Sequence, residues 1–294
     1  MRIFTLRHAL SALAATCLLG ATTAASAAAP VWKVSKGDQH VYIGGTVHVL
    51  SRKDYPLPSA FYEAWSDSSE VVFETDIAGA AAPEFGQKFM MAFANPPGVT
   101  AESQVSQEVW QRMLAFGEER GVPLEGFQPF HPAFSVLVLT VVEMQRLGFS
   151  EEEGVDIYFQ RQAVATDRPV GQLETLDEQL SYLESFKLVE PDLLVTATLE
   201  EIGSTENMME GLLAAWRSGD MEELWQIGAA SMGDIPEVYE VLISQRNARW
   251  LPQVEAMLKT EPVEFVLVGG LHLAGPTSLL TMLEKKGYSI TQLN

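Results

Sequence analysis

Val41-Tyr42-Ile43-Gly44-Gly45-Thr46-Val47-His48-Val49 aligns without a gap on Phe265-Val266-Leu267-Val268-Gly269-Gly270-Leu271-His272-Leu273. In both copies an apolar run leads into Gly-x-x-His and then an aliphatic residue. A short apolar run that ends at glycine reads as a buried strand. The glycine permits a sharp turn or a close backbone approach. The imidazole then projects into the crevice beyond the strand ends, where open α/β sheets hold their ligands. The repeat therefore predicts two strands of one sheet, with His48 and His272 at a shared edge although most of the chain lies between them.

Working outward, six segments read as strands: Val31–Val34, Val41–Gly44, Val71–Glu74, Pro169–Gln172, Phe265–Val268 and Tyr288–Leu293. Each is short, rich in β-branched or aromatic residues, and bounded by Gly, Asp, Lys or Pro. Near-continuous apolar runs suit a sheet covered on both faces. Helical spacing marks Pro58–Ser66, Ser103–Arg120, Pro132–Leu147, Gly154–Ala165, Pro191–Trp216 with a break near Gly203, Met221–Ile227, Pro236–Ile243, Pro252–Leu258 and Pro276–Lys286. The expected fold is α/β: a central mixed, mostly buried β-sheet formed by both chain ends, with a large helical middle segment. No Pro/Gly/Ser-rich linker divides it, so residues 28–294 are expected to form one domain with a helical insertion over about 100–260.

Residues 1–27 are set apart as a secretory signal peptide. Arg2 and Arg7 precede an apolar, small-residue run, and Ala25-Ser26-Ala27 offers a cleavage site. The single cysteine, Cys17, lies inside this run, so the mature chain is expected to lack thiol chemistry. Export to the periplasm, or secretion, is the expected localisation. No later run reaches the length of a membrane span; the longest, Phe134–Val142, ends at Glu143. With 19 basic against 39 acidic residues, the formal charge is -20. No Lys/Arg cluster supplies the basic face that nucleic acid needs.

Of the five histidines, His8 falls in the signal segment and two occupy the repeated motif. Imidazole suits proton transfer and metal ligation near neutral pH. His40 and His131 lack that context and read as structural. A third partner stands in Glu70-Val71-Val72-Phe73-Glu74-Thr75-Asp76. Alternation puts Val71 and Phe73 on one face and Glu74 on the other, at the end of a strand. A carboxylate there would bind a cation or act as general base on water. Two histidines and a carboxylate match a catalytic metal site with an open position. Arg246 would orient a carboxylate or stabilise an oxyanion, while Asp156 and Glu174 also read as helix-start acids favoured by the helix dipole.

These residues carry a resemblance. Ile43–Val49, Tyr55-Pro56-Leu57-Pro58, Phe73-Glu74-Thr75-Asp76, Gly154-Val155-Asp156, Gly171-Gln172-Leu173-Glu174-Thr175, Arg246-Asn247, Arg249-Trp250, Val268–Leu273 and Lys286-Gly287-Tyr288 together resemble the TraB/GumN family, which is related to the Tiki-type membrane metalloproteases. The resemblance implies the sheet architecture of the Tiki, erythromycin-esterase and ChaN kind. It also implies that His48, Glu74 and His272 are the catalytic and metal-binding group, with Arg246 beside them. Gly45, Gly269, Asn247, Asp156 and Glu174 are then supporting residues. In the Tiki branch such a site belongs to a divalent-metal-dependent peptidase, so the implied cofactor is Mn, Co or Zn.

The expected function is an exported, metal-dependent hydrolase acting on a peptide or small-molecule substrate. Glu74 stays open as ligand or base. The alternative is a periplasmic protein that sequesters a peptide or small ligand, using Met208, Met209, Met221 and Met232 as an adaptable apolar surface. A metal-free histidine base is a third possibility.

Overall fold

The computed structural model describes residues 28–202, 205–231 and 236–294. The proposed signal peptide, the break near Gly203 and Met232 lie outside the described residues. All six expected strands are present: β1 (Val31–Lys36), β2 (Gln39–Thr46), β3 (Glu70–Phe73), β4 (Val170–Gln172), β5 (Glu264–Gly269) and β6 (Ser289–Gln292). They form one mixed sheet in the order β4-β3-β5-β2-β1-β6. The β4, β3, β5 and β2 strands run parallel, while β1 is antiparallel to both β2 and β6. The two chain ends therefore share the sheet, and β5 enters from the far end of the sequence to lie between β2 and β3.

The helices are α1 (Ser59–Asp67), α2 (Ile77–Ala80), α3 (Pro83–Ala92), α4 (Gln107–Glu119), α5 (Pro132–Arg146), α6 (Val155–Thr166), α7 (Leu176–Glu184), α8 (Pro191–Ile202), α9 (Thr205–Ser218), α10 (Met221–Ser231), α11 (Pro236–Tyr239), α12 (Gln245–Met257) and α13 (Leu279–Lys285). They cover the sheet on both faces, as its apolar strands require. On one face Tyr42, Val71, Phe73, Phe265 and Leu267 pack with Phe61 of α1, Phe159 of α6 and Trp216 of α9. On the other, Ile43, Val72, Val266 and Val268 pack with Trp250 and Val254 of α12 and Leu279 and Leu283 of α13. A third core lies within the helical middle, where Trp110, Met113, Phe134, Leu139 and Val195 join α4, α5 and α8.

Two expectations need correction. The helix read as Pro252–Leu258 begins at Gln245, with Pro252 inside it. The segment read as Pro236–Ile243 is one α turn followed by a π-helical stretch, Glu240–Ser244, which runs directly into α12. Proline favours a first turn, but tertiary packing of Trp250 and Val254 carries the helix through it here. The helices α2, α3 and α7 stand where no helix was expected from the sequence. Among the described residues no helix is long and apolar enough to cross a membrane.

At the amino ends of the strands, Glu70 and Glu264 are paired neighbours on β3 and β5. Burial first, and the neighbouring Glu70 carboxylate as well, push the Glu264 carboxyl up to about 7 from its ordinary 4.5. Its Oε2 is buried without a hydrogen-bond partner among the described residues. The folded state thus binds this proton more tightly than the unfolded chain does. The stabilisation is complete below the unfolded value and is lost as pH rises through the folded one. Glu264→Gln should therefore stabilise the protein by about 1–3 kcal/mol at pH 8, the scale of an unsatisfied buried polar group, and do little at pH 4. Thermal melts across that range check this; an equal effect at both ends would contradict it.

Candidate active site

The β2–β5 ladder sets the geometry. Thr46 pairs with Gly269, and Gly45 with Val268. The sequence repeat, in contrast, aligns Gly45 with Gly269. This one-residue stagger turns equivalent strand residues to opposite faces: Val41, Tyr42 and Ile43 face the opposite core from Phe265, Val266 and Leu267 respectively. Consequently the two histidines are held by helices from opposite layers.

His48 is fixed by the start of α6. Its Nδ1 lies 2.8 Å from Asp156 Oδ2, and the Val155 amide donates to Val47 O at 3.1 Å. Gly154 makes the approach possible, because a Cβ there would stand 2.2 Å from His48 O. The Asp156 carboxylate can only accept, so His48 Nδ1 is the donor and Nε2 faces the crevice. Asp156 holds the imidazole above its ordinary pKa, against the opposing effect of desolvation. The side chain is 61% exposed, so water screens part of that attraction.

His272 is fixed by α12. Asn247 Nδ2 donates to His272 O and Thr277 O at 3.0 and 2.9 Å. Its Oδ1 is therefore the acceptor facing His272 Nδ1, at 2.7 Å. His272 carries its proton on Nδ1 and presents a lone pair at Nε2. The ring packs against Trp250, with centroids 4.4 Å apart. Burial pushes its pKa down to about 3, with the positive charges of Arg246 and His48 adding to the effect and Glu74 opposing it.

Between them stands Glu74. Its Oε1 accepts from Gly269 N at 2.6 Å and lies 3.7 Å from His272 Nε2. Its Oε2 accepts from Arg246 Nη2 at 2.5 Å. Burial alone would raise this carboxyl, but Arg246, His272, His48 and the Gly269 amide together lower it to about 2. Arg246 in turn binds Glu174 through Nε at 3.1 Å and Nη2 at 2.6 Å. Its Nη1 donates to Leu242 O and to His272 Nε2, both at 3.1 Å. Burial raises the Glu174 carboxyl, and the nearby Glu74 adds to this against the pull of Arg246. Trp250 contributes Nε1 to Glu174 Oε2 at 3.2 Å.

The structure thus brings together His48, Glu74, His272, Arg246, Asn247, Asp156 and Glu174 around Gly269. Gly45 stands one strand away; its carbonyl accepts from Trp216 Nε1 at 2.7 Å. His131 and His40 lie elsewhere: His131 Nδ1 caps α5 by accepting from Ala133 N, and His40 meets Asp67. Arg246 is buried by the π turn and α12, where it can orient carboxylates as expected. The contributions of Leu242, Gly154 and Trp250 were not identified from sequence, although Gly154 and Trp250 stand in the quoted motifs.

In imidazole ¹⁵N NMR titrations, His48 should titrate above the ordinary histidine value and drop towards it in Asp156→Asn, while His272 stays neutral down to pH 5. A His48 titration unchanged by that substitution would contradict the assigned pairing.

The TraB/PrgY/gumN family profile matches residues 30–292. The uncharacterized protein YbaP of Escherichia coli (strain K12) is 26% identical over 253 residues, covering 84% of this chain and 89% of YbaP. YbaP of Shigella flexneri shows the same identity and coverage. No solved structure matches significantly. A profile that spans nearly all the described residues, including every residue of the site, establishes that the chain belongs to the TraB/PrgY/gumN family.

Proposed function

We propose that this protein is an exported, divalent-metal-dependent hydrolase acting on peptides, with His48, His272 and Glu74 as the metal-binding set. One observation carries the reading. Each Gly-x-x-His imidazole is pinned through Nδ1, by Asp156 at 2.8 Å and Asn247 at 2.7 Å, which aims Nε2 inward. Metal-binding histidines are oriented in this way by carboxylate or carbonyl partners.

The residues fit a cation on a second count. A Cβ added at Gly269 would lie 3.3 Å from Glu74 Oε1, 3.3 Å from His48 Nε2 and 3.6 Å from His272 Cδ2. A small notch is therefore kept open between the Glu74 and His48 donors, beside the ring of His272 whose Nε2 meets Arg246, and two imidazoles with one carboxylate suit Zn, Co or Mn. When bound, such a cation supplies a Lewis acid that polarises a carbonyl and lowers the pKa of water.

The chain's own groups do the rest. Asp156 and Asn247 hold the imidazole tautomers. The Gly269 amide and Arg246 keep Glu74 ionised. Arg246, a buried cation beside the notch, stabilises negative charge that develops on the substrate oxygen. Peptide as substrate is supported by the likeness of the paired motifs to Tiki-type metalloproteases. Export is supported by Arg2, Arg7 and the apolar run that follows them.

Elemental analysis of purified protein should find about one divalent ion per chain, as a single three-ligand site requires, and none in His48→Ala or His272→Ala. Cleavage of a peptide library should need Mn, Co or Zn and vanish in the double variant. Cleavage that survives exhaustive chelation would point instead to a histidine base without metal. A peptide bound stoichiometrically and recovered intact would favour a sequestering protein.

A further inference from the structure

We propose that Arg246 is the resident cation of the site: its guanidinium holds Glu74 and His272 until a divalent cation takes them, and then withdraws onto Glu174. This inference rests on the metal-binding reading above and concerns how the site is kept ready for the ion.

Arg246 is fixed on two sides. Towards Glu174 it makes a two-point contact, Nε to Oε2 at 3.1 Å and Nη2 to Oε1 at 2.6 Å. This fork-on-fork geometry is the strong arrangement for arginine and carboxylate. Towards the notch it makes single contacts, Nη2 to Glu74 Oε2 at 2.5 Å and Nη1 to His272 Nε2 at 3.1 Å. The His272 contact engages the lone pair that a metal ion would need, since the Asn247 pairing fixes the proton on Nδ1.

The electrostatics explain why a cation is held there at all. Glu74 and Glu174 are both buried, and Arg246 with them. Two buried carboxylates without a counter-charge are strongly unfavourable. A divalent ion at Glu74 and His272 would relieve Glu74 of that need but repel the guanidinium. The two-point contact with Glu174 lets Arg246 release His272 and Glu74 while keeping a partner. Nη1 is then free to face substrate. The π-helical stretch Glu240–Ser244 lies immediately before Arg246, and its Leu242 carbonyl accepts from that same Nη1 at 3.1 Å. Single π turns of this kind often occur at functional sites.

The test is calorimetric titration of the full chain with Zn²⁺, with folding of every variant checked by circular dichroism. Arg246→Gln should bind Zn²⁺ roughly tenfold or more tightly than wild type, the scale of a coupling between neighbouring groups. Arg246→Lys, which keeps the charge but cannot engage both carboxylates in a fork, serves if Arg246→Gln does not fold, and it too should bind more tightly. Glu174→Gln removes the retreat and should weaken Zn²⁺ binding roughly tenfold in the wild-type background but under about threefold in Arg246→Gln. If Glu174→Gln weakens binding equally in both backgrounds, Glu174 acts only through its charge and withdrawal is overturned. If His48→Ala and His272→Ala abolish binding while neither Arg246 variant tightens it, the competition alone is overturned. If neither wild type nor any variant binds Zn²⁺, the metal reading fails with it.

Discussion

The parallel pairing of β2 with β5 is the constraint on which the site depends. It joins a strand from the beginning of the chain to one from the end, and only through it do the two Gly-x-x-His segments meet. Parallel neighbours require a crossover connection; here the crossover is most of the protein, and its helices supply the walls of the crevice. The α6 helix delivers Asp156 to His48 from one layer. From the other, α12 delivers Asn247 and Arg246 to His272 and Glu74.

The pairing also breaks the symmetry of the repeat. Because the ladder is staggered by one residue relative to the sequence alignment, the two histidines enter different surroundings. His48 remains largely exposed beside a carboxylate, while His272 is buried against Trp250 and an amide. Their pKa values are driven in opposite directions, upward for His48 and down to about 3 for His272. The same residue type in the same motif thus meets two different electrostatic environments. The cost is concentrated charge. Glu74, Glu174 and Asp156 are all buried, and removing the one guanidinium that serves two of them would cost on the order of 3–5 kcal/mol. The polar site is thereby tied to the fold that surrounds it.

Much of this was legible in the sequence because it rests on local patterns. All six strands were marked by short apolar runs ending at Gly, Asp, Lys or Pro. The meeting of His48, Glu74 and His272 followed from placing each at a strand exit of a sheet built from both ends. What was hidden depends on long-range pairing. Asp156 and Glu174 were marked as supporting residues only through the family resemblance; by local pattern they read as helix-start acids, since nothing within a turn of either reveals His48 or Arg246. Arg246 lay between the helices expected at Pro236–Ile243 and Pro252–Leu258 because Pro252 suggested a first turn, whereas the π turn before Gln245 feeds an unbroken α12 and buries it. The stagger of β2 on β5 had no local signal at all, because an ungapped alignment implies the wrong register.

The central claim is that both imidazoles and Glu74 face one small notch at Gly269. The most direct measurement is anomalous diffraction at the zinc edge from crystals of the protein grown with Zn²⁺. A single strong peak within about 2.0–2.2 Å of His48 Nε2, His272 Nε2 and Glu74 Oε1, the ordinary zinc–ligand range, is the predicted result. No peak at the notch under saturating Zn²⁺, with Arg246 still bonded to His272 Nε2, would contradict it.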